Sequence, residues 1–109
     1  MSEDDKSFKI ESLPEVDFYT IKKAAMVFRA INHTLRQHLL KIIDKNEPIT
    51  VTQLYIKLRL EQSVASQHLA MLRQVGIVSM RHAGKFRYYS LNKSRIEEIT
   101  QLATNIVNW

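Results

Sequence analysis

Apolar residues recur along this chain at two different periods, and the changes of period divide it into elements. From residue 18 the spacing is helical, with Phe18, Ile21, Ala25 and Phe28 on one face of "FYTIKKAAMVFRAI". "NHT" at 32–34 supplies side chains suited to capping. "LRQHLLKIIDKN" then places Leu35, Leu39, Ile42 and Ile43 on a single stripe. Pro48 ends that helix, because the residue before a proline, here Glu47, is pushed out of the helical region. "TVTQLYIKLRL" predicts a short third helix with Leu54 and Leu58 inward. A fourth follows over 62–75, with Ala65, Leu69, Leu72 and Val75 inward.

Gly76 then stands where a helix closes in the left-handed conformation that glycine enters without steric cost. Beyond it the period falls to two. "IVSMRHAGKFRYYSL" predicts a hairpin over 77–91, two β-rich runs around "HAGK" with Gly84 supplying the positive φ of the turn. Tyr88 and Tyr89 point to opposite faces, so one is expected in the core and the other outward. The last helix opens on Ser94-Arg-Ile-Glu97, a capping-box pattern. Its stripe is Ile96, Ile99, Ala103 and Ile106, widened by Leu102 and Val107. Residues 1–15 lack such periodicity and are expected to form a mobile acidic tail, although Phe8, Ile10 and Leu13 offer apolar contacts. The division is therefore a tail over 1–15 and a single domain over 16–109. The fold is mainly α with a β-hairpin wing, in the order α-α-α-α-β-β-α: a winged helix-turn-helix.

Composition narrows the function. A chain of 109 residues makes one domain with a small core, so an apolar helix face left outside would favour oligomerisation. Cysteine is absent, which removes disulfides and thiolate metal sites and suits a reducing cytoplasm, the expected location. No apolar run is long enough for a membrane span, and "MSEDDKSFK" does not have the form of a signal peptide. Charge is unevenly placed. Residues 1–17 carry six acids and two lysines, whereas residues 18–109 carry 14 basic and five acidic side chains. A basic body with a small acidic tail suits a polyanionic partner.

The outer face of the fourth helix bears Gln62, Ser63, Ser66 and Gln67 where a merely solvated helix would carry Glu and Lys. A major groove about 12 Å wide admits one helix whose outward side chains are short and able to donate and accept hydrogen bonds. Glutamine can pair bidentately with adenine, and serine can contact a base edge or a phosphate. The same face also fits a plain polar surface. His68 reads as a packed helix residue in preference to a ligand or base reader. Arg81, Lys85 and Arg87 either bracket a turn or meet phosphate and the minor groove. The final stripe is either internal core or, with the first helix, a dimer seam. The seam is the expectation, through Phe18, Ile21, Ile96, Ile99, Ala103 and Ile106.

"HTLRQHLL", "LEQSVASQHLAMLRQVGIV" and "RHAGKFRYYSLN" resemble the second helix, recognition helix and wing of the ArsR/SmtB family of bacterial transcriptional repressors, over about residues 18–107. The family's recognition pattern Ser-Gln-Ser-x-x-Ser-x-His-Leu is matched from Glu61 to Leu69, with Glu61 in place of the first serine. That acid suits the helix dipole but repels a nearby phosphate. The resemblance implies a homodimeric winged helix that binds double-stranded operator DNA and is released by a ligand, often a metal ion. The family's metal ligands do not carry over. Its Cys-x-Cys falls at Thr50 and Thr52, and its last-helix ligands fall at Lys93, Arg95, Ile106 and Trp109. The four histidines have no paired spacing that would replace them. No metal or other cofactor is expected, and no inducer class is indicated.

Three functions of different class follow. The first is a homodimeric, sequence-specific transcriptional repressor reading a palindromic operator with helix 62–75 and the 77–91 wing. The second is a winged helix used as a protein–protein module, which would not need a basic wing. An enzyme is not expected, since no nucleophile–base pair, metal cluster or phosphate loop is visible.

Overall fold

The stop at Gly76 shows how closely local chemistry sets the chain's path. The computed structural model describes residues 15–108, so Phe8, Ile10, Leu13, Trp109 and nearly all of the predicted tail lie outside the described residues. Within it α1 spans Phe18–Ile31, α2 Thr34–Asn46, β1 Ile49–Thr50, α3 Val51–Leu58, α4 Gln62–Gln74, β2 Val78–Ala83, β3 Phe86–Leu91 and α5 Lys93–Val107. At the end of α4 the Gly76 N–H donates to the Arg73 carbonyl and the Ile77 N–H to the Leu72 carbonyl, each at 3.0 Å. These two bonds close a Schellman turn with Gly76 at φ +79°, and Ile77 and Leu72 are both fully buried beneath it.

The turn between α3 and α4 repeats this geometry with a different residue. Leu60 N–H bonds to the Tyr55 carbonyl and Arg59 N–H to that of Ile56, which places Arg59 at φ +54° in the glycine position. The two Schellman turns thus bracket α4 and set where it starts and stops. At its own start α3 is fixed by a capping box. Thr50 Oγ1 accepts from the Gln53 N–H at 3.2 Å, and Gln53 Oε1 accepts from the Thr50 N–H at 3.0 Å.

The hairpin adds a strand that the periodicity missed. β1 pairs antiparallel with β3, Ile49 opposite Tyr89 and Thr50 opposite Tyr88, to give a three-stranded sheet in the order β1-β3-β2. A strand of two residues is too short to show alternation. The β2–β3 turn is Gly84-Lys85, since Ala83 pairs with Phe86; only Gly84 has positive φ there, as a type II′ turn requires. Of the two tyrosines Tyr89 is buried and Tyr88 only half-buried. The start of α5 also differs from expectation. Its N-cap is Asn92, whose Oδ1 accepts from the Arg95 N–H at 3.3 Å and from Ser94 Oγ at 3.0 Å, so Ser94 and Glu97 form no capping box. Asn92 N–H is held by the Ile77 carbonyl at 2.8 Å, and that bond brings the chain round to begin the helix earlier.

One core joins these elements: Leu39 and Ile43 of α2, Ile49, Leu54 of α3, Leu69 and Leu72 of α4, Ile77, Val78, Tyr89 and Ile99 of α5. Val27, Phe28 and Ile31 of α1 pack against its edge. Gly76→Ala forces a Cβ into the left-handed region, where an L-residue costs about 1–2 kcal/mol. It should lower the urea midpoint by the equivalent of about 1 kcal/mol at unchanged slope. An unchanged midpoint would show that the turn places no constraint on α4.

Candidate nucleic-acid interface

Helix α4 has one face locked and one face free. Ala65, Leu69 and Leu72 are each at 0% exposure, whereas Gln62, Ser63 and Gln67 are exposed and Ser66 is half-buried. Residues 63, 66 and 67 are neighbours at helical spacing, so the polar groups converge on one outward stripe. Glu61 precedes them as N-cap, but its side chain makes no capping bond. Its carboxylate therefore stands at the open, positive end of the helix.

A group that the sequence reading passed over holds the rear of the helix. Arg36 of α2 is buried at 7% exposure, with no ion-pair partner among the described residues. Its Nε donates to His68 Nδ1 at 3.1 Å, its Nη1 to the Ala30 carbonyl at 3.2 Å and its Nη2 to Met71 Sδ at 2.9 Å. His68 is thus the packed helix residue expected, and its ring lies 5.0 Å from that of His33, the N-cap of α2. Burial first, then the positive charge of Arg36 and His33, pushes His68 below the ordinary imidazole pKa. The signal was present in "HTLRQHLL": Arg36 falls on the same helical stripe as Leu39 and Ile43, and a cation on an apolar stripe needs an acceptor.

The wing carries its cations on both faces of the ribbon. Arg81 pairs across with Tyr88, and its guanidinium lies 5.5 Å from that ring; Lys85 Nζ lies 5.5 Å from the Phe86 ring. Phe86 and Tyr88 are themselves 6.3 Å apart, so cations and aromatics share one face. Arg87 pairs with His82 on the other face. Arg81, Lys85 and Arg87 are all exposed, and none forms an ion pair among the described residues. Phe86, at 46% exposure, had no place in the sequence reading because its strand alternation marks only a face, not a partner.

The expected seam residues divide. Phe18, Ile21 and Ile106 are exposed, together with Tyr19, Leu102 and Val107. Ile99, by contrast, is buried in the chain's own core and Ile96 packs against that core, with Ala103 half-buried beside them. The stripe of α5 is therefore internal on one edge and open on the other, because a helix lying on a core buries only part of its circumference.

Thr50 is occupied in its capping box and in the sheet, and Lys93 is paired with Glu47 at 3.7 Å and Asp44 at 3.9 Å. Arg95 is bonded to Glu98 at 2.7 Å. Among the described residues no three His, Asp or Glu side chains come together to hold a metal ion. In the His33–His68 pair both Nδ1 atoms already accept hydrogen bonds from Arg36. No helix is long and apolar enough to cross a membrane among the described residues.

Comparison with known proteins agrees with this architecture. A family model described as "Bacterial regulatory protein, arsR family" matches residues 34–80, from α2 through α4 into β2. An uncharacterised HTH-type transcriptional regulator of Methanocaldococcus jannaschii is 31% identical over 85 residues, covering 78% of this chain and 96% of the relative. The transcriptional activator HlyU of Vibrio cholerae is 32% identical over 80 residues, 73% of each chain. Among solved structures, the transcriptional repressor PagR of Bacillus anthracis superposes with a TM-score of 0.63 at 28% identity, covering 80% of this chain and 99% of that one.

Proposed function

The chain belongs to the arsR family of bacterial regulatory proteins, and on that premise we propose that it is a homodimeric, sequence-specific DNA-binding repressor. The observation that carries the reading is the two-faced α4, whose inner stripe is fully buried while Gln62, Ser63 and Gln67 stand free. In this reading Gln62, Ser63, Ser66 and Gln67 enter the major groove and read base edges. Arg81, Lys85 and Arg87 clasp the backbone or the minor groove beside it. Cations on both faces of the ribbon suit a strand pair lying between two phosphate rows.

Exposed apolar side chains support the dimer in this reading. Phe18, Ile21, Leu102 and Ile106 are large apolar side chains that stand exposed on α1 and α5, the kind of surface a partner copy would cover. A second copy packed there would cover it and present two α4 helices to a two-fold operator. Repression follows if that operator overlaps a promoter. Relatives named as repressor and as activator both occur, so the sign is set by where the site lies. The reading needs no metal switch, since Thr50, Thr52, Lys93, Arg95 and Ile106 replace the ligands the family resemblance would supply.

Lys85→Ala should weaken binding to operator and random duplexes alike and lower the salt slope by about one. Gln67→Ala should cost roughly 1–3 kcal/mol on the operator and little on random DNA, relaxing preference at one base pair per half-site. Affinities of both variants across a salt series decide this. If Gln67→Ala lowers both affinities equally, the helix is not reading bases, and the assignment of Gln62, Ser63, Ser66 and Gln67 fails.

Ile106→Asp, at a position 55% exposed in the single chain, should give a folded monomer in sedimentation. A folded dimer of unchanged mass would show that another surface pairs. Ile99 is unsuited to this test, because a charge there enters the core. Stoichiometric Zn²⁺, Ni²⁺ or Cd²⁺ should leave operator affinity within about threefold; a shift of about tenfold, about 1.4 kcal/mol, would establish a metal switch.

A further inference from the structure

Arg36 is a buried cation whose acceptors are all neutral, and one of them can gain a proton. Its three bonds tie together the end of α1 at Ala30, the first turn of α2, and α4 at His68 and Met71. His68 directly follows Gln67 and lies about 100° round α4 from it, so the residue that faces outward and the residue that is held are adjacent. We propose that Arg36 and His68 position the recognition helix for DNA, and that protonation of His68 releases this hold and lowers operator affinity in acid. The inference rests on the DNA-binding reading above.

The chemistry runs in one direction. Nδ1 accepts from Arg36 only while it carries no proton, which leaves Nε2 as the N–H of a neutral ring. Protonation turns Nδ1 into a donor facing a donor and sets a second cation beside the guanidinium. The groups around His68 do not offset that charge. From α2 come Arg36 and His33, at the positive end of that helix. From α1 comes the Ala30 carbonyl, through Arg36. From α4 itself comes Met71. Among the described residues no carboxylate pairs with His68.

Burial and these cations lower the His68 pKa in the clamped form. Proton uptake therefore favours the form in which the helix is released. Full affinity holds above the ordinary imidazole value and is lost as pH falls through the lowered one.

The test uses the full chain and a duplex selected from a random pool for tight binding at about pH 8. His68→Asn keeps an acceptor oxygen close to the place of Nδ1, does not titrate, and has a helix propensity similar to histidine. Every other titratable group is the same in both proteins, so the comparison between them isolates the proton on His68. At about pH 8 the two proteins should bind alike; at about pH 5 the wild type should bind about tenfold more weakly than His68→Asn. In the wild type the His68 ring signals should titrate at lower pH with the duplex bound than without, by reciprocity, and this reading does not depend on the variant folding.

An affinity ratio equal at both pH values, or a His68 titration unmoved by DNA, would overturn the proposal. Loss of helical circular dichroism at about pH 5 would also overturn it, because the proton would then act on the whole fold. Failure to select any duplex at about pH 8 would remove the DNA-binding reading itself, and this inference with it.

Discussion

The burial of Ala65, Leu69 and Leu72 is the constraint from which the rest of the molecule follows. These three side chains must meet α2, α3 and the sheet, and at a rise of 1.5 Å per residue they fix both the axis and the rotation of α4. Once that rotation is set, Gln62, Ser63 and Gln67 have nowhere to point but outward. The Schellman turns at Arg59 and Gly76 fix its length, and the second of them turns the chain directly into β2. The wing is therefore placed by the same helix whose outer face it flanks.

Charge completes the arrangement. Two acids are engaged away from the proposed interface: Glu47 accepts from the Leu91 N–H at 2.8 Å and faces Lys93, and Glu98 pairs with Arg95, whereas Glu61 stands at the start of α4 beside it. The wing cations have no such partners among the described residues; Arg81 and Lys85 rest against Tyr88 and Phe86 instead. Exposed ion pairs contribute little to stability, so leaving these cations unpaired costs the fold little. It leaves a positive ribbon beside a neutral, hydrogen-bonding helix face, which in the proposed function divides attracting a polyanion from reading its bases.

Much of this was legible in the sequence because the elements are long and strongly periodic. The five described helices, the stop at Gly76, the hairpin around Gly84 and the polar face of α4 all follow from spacing and from two glycines. What was not legible depends on partners distant in the chain. β1 exists because Ile49 and Thr50 meet Tyr89 and Tyr88, about 40 residues away, and two residues carry no period of their own. The cap of α5 moved from Ser94 to Asn92 because the Ile77 carbonyl captures the Asn92 N–H. Ile99 and Ile106 share a stripe by sequence, yet one meets the core and the other does not. Arg36 was hinted at by a cation on an apolar stripe, but its acceptors His68 and Met71 lie more than 30 residues on.

The central claim is that two copies of α4 read a defined DNA sequence. Repeated selection of duplexes from a random pool by the purified chain, followed by sequencing, tests it most directly. The account predicts enrichment of one motif with two-fold symmetry, its half-sites about one helical turn or a multiple apart, bound roughly 10³-fold or more tighter than unselected DNA at the same salt. A pool that stays random, with salt-dependent binding of every duplex alike, would contradict it.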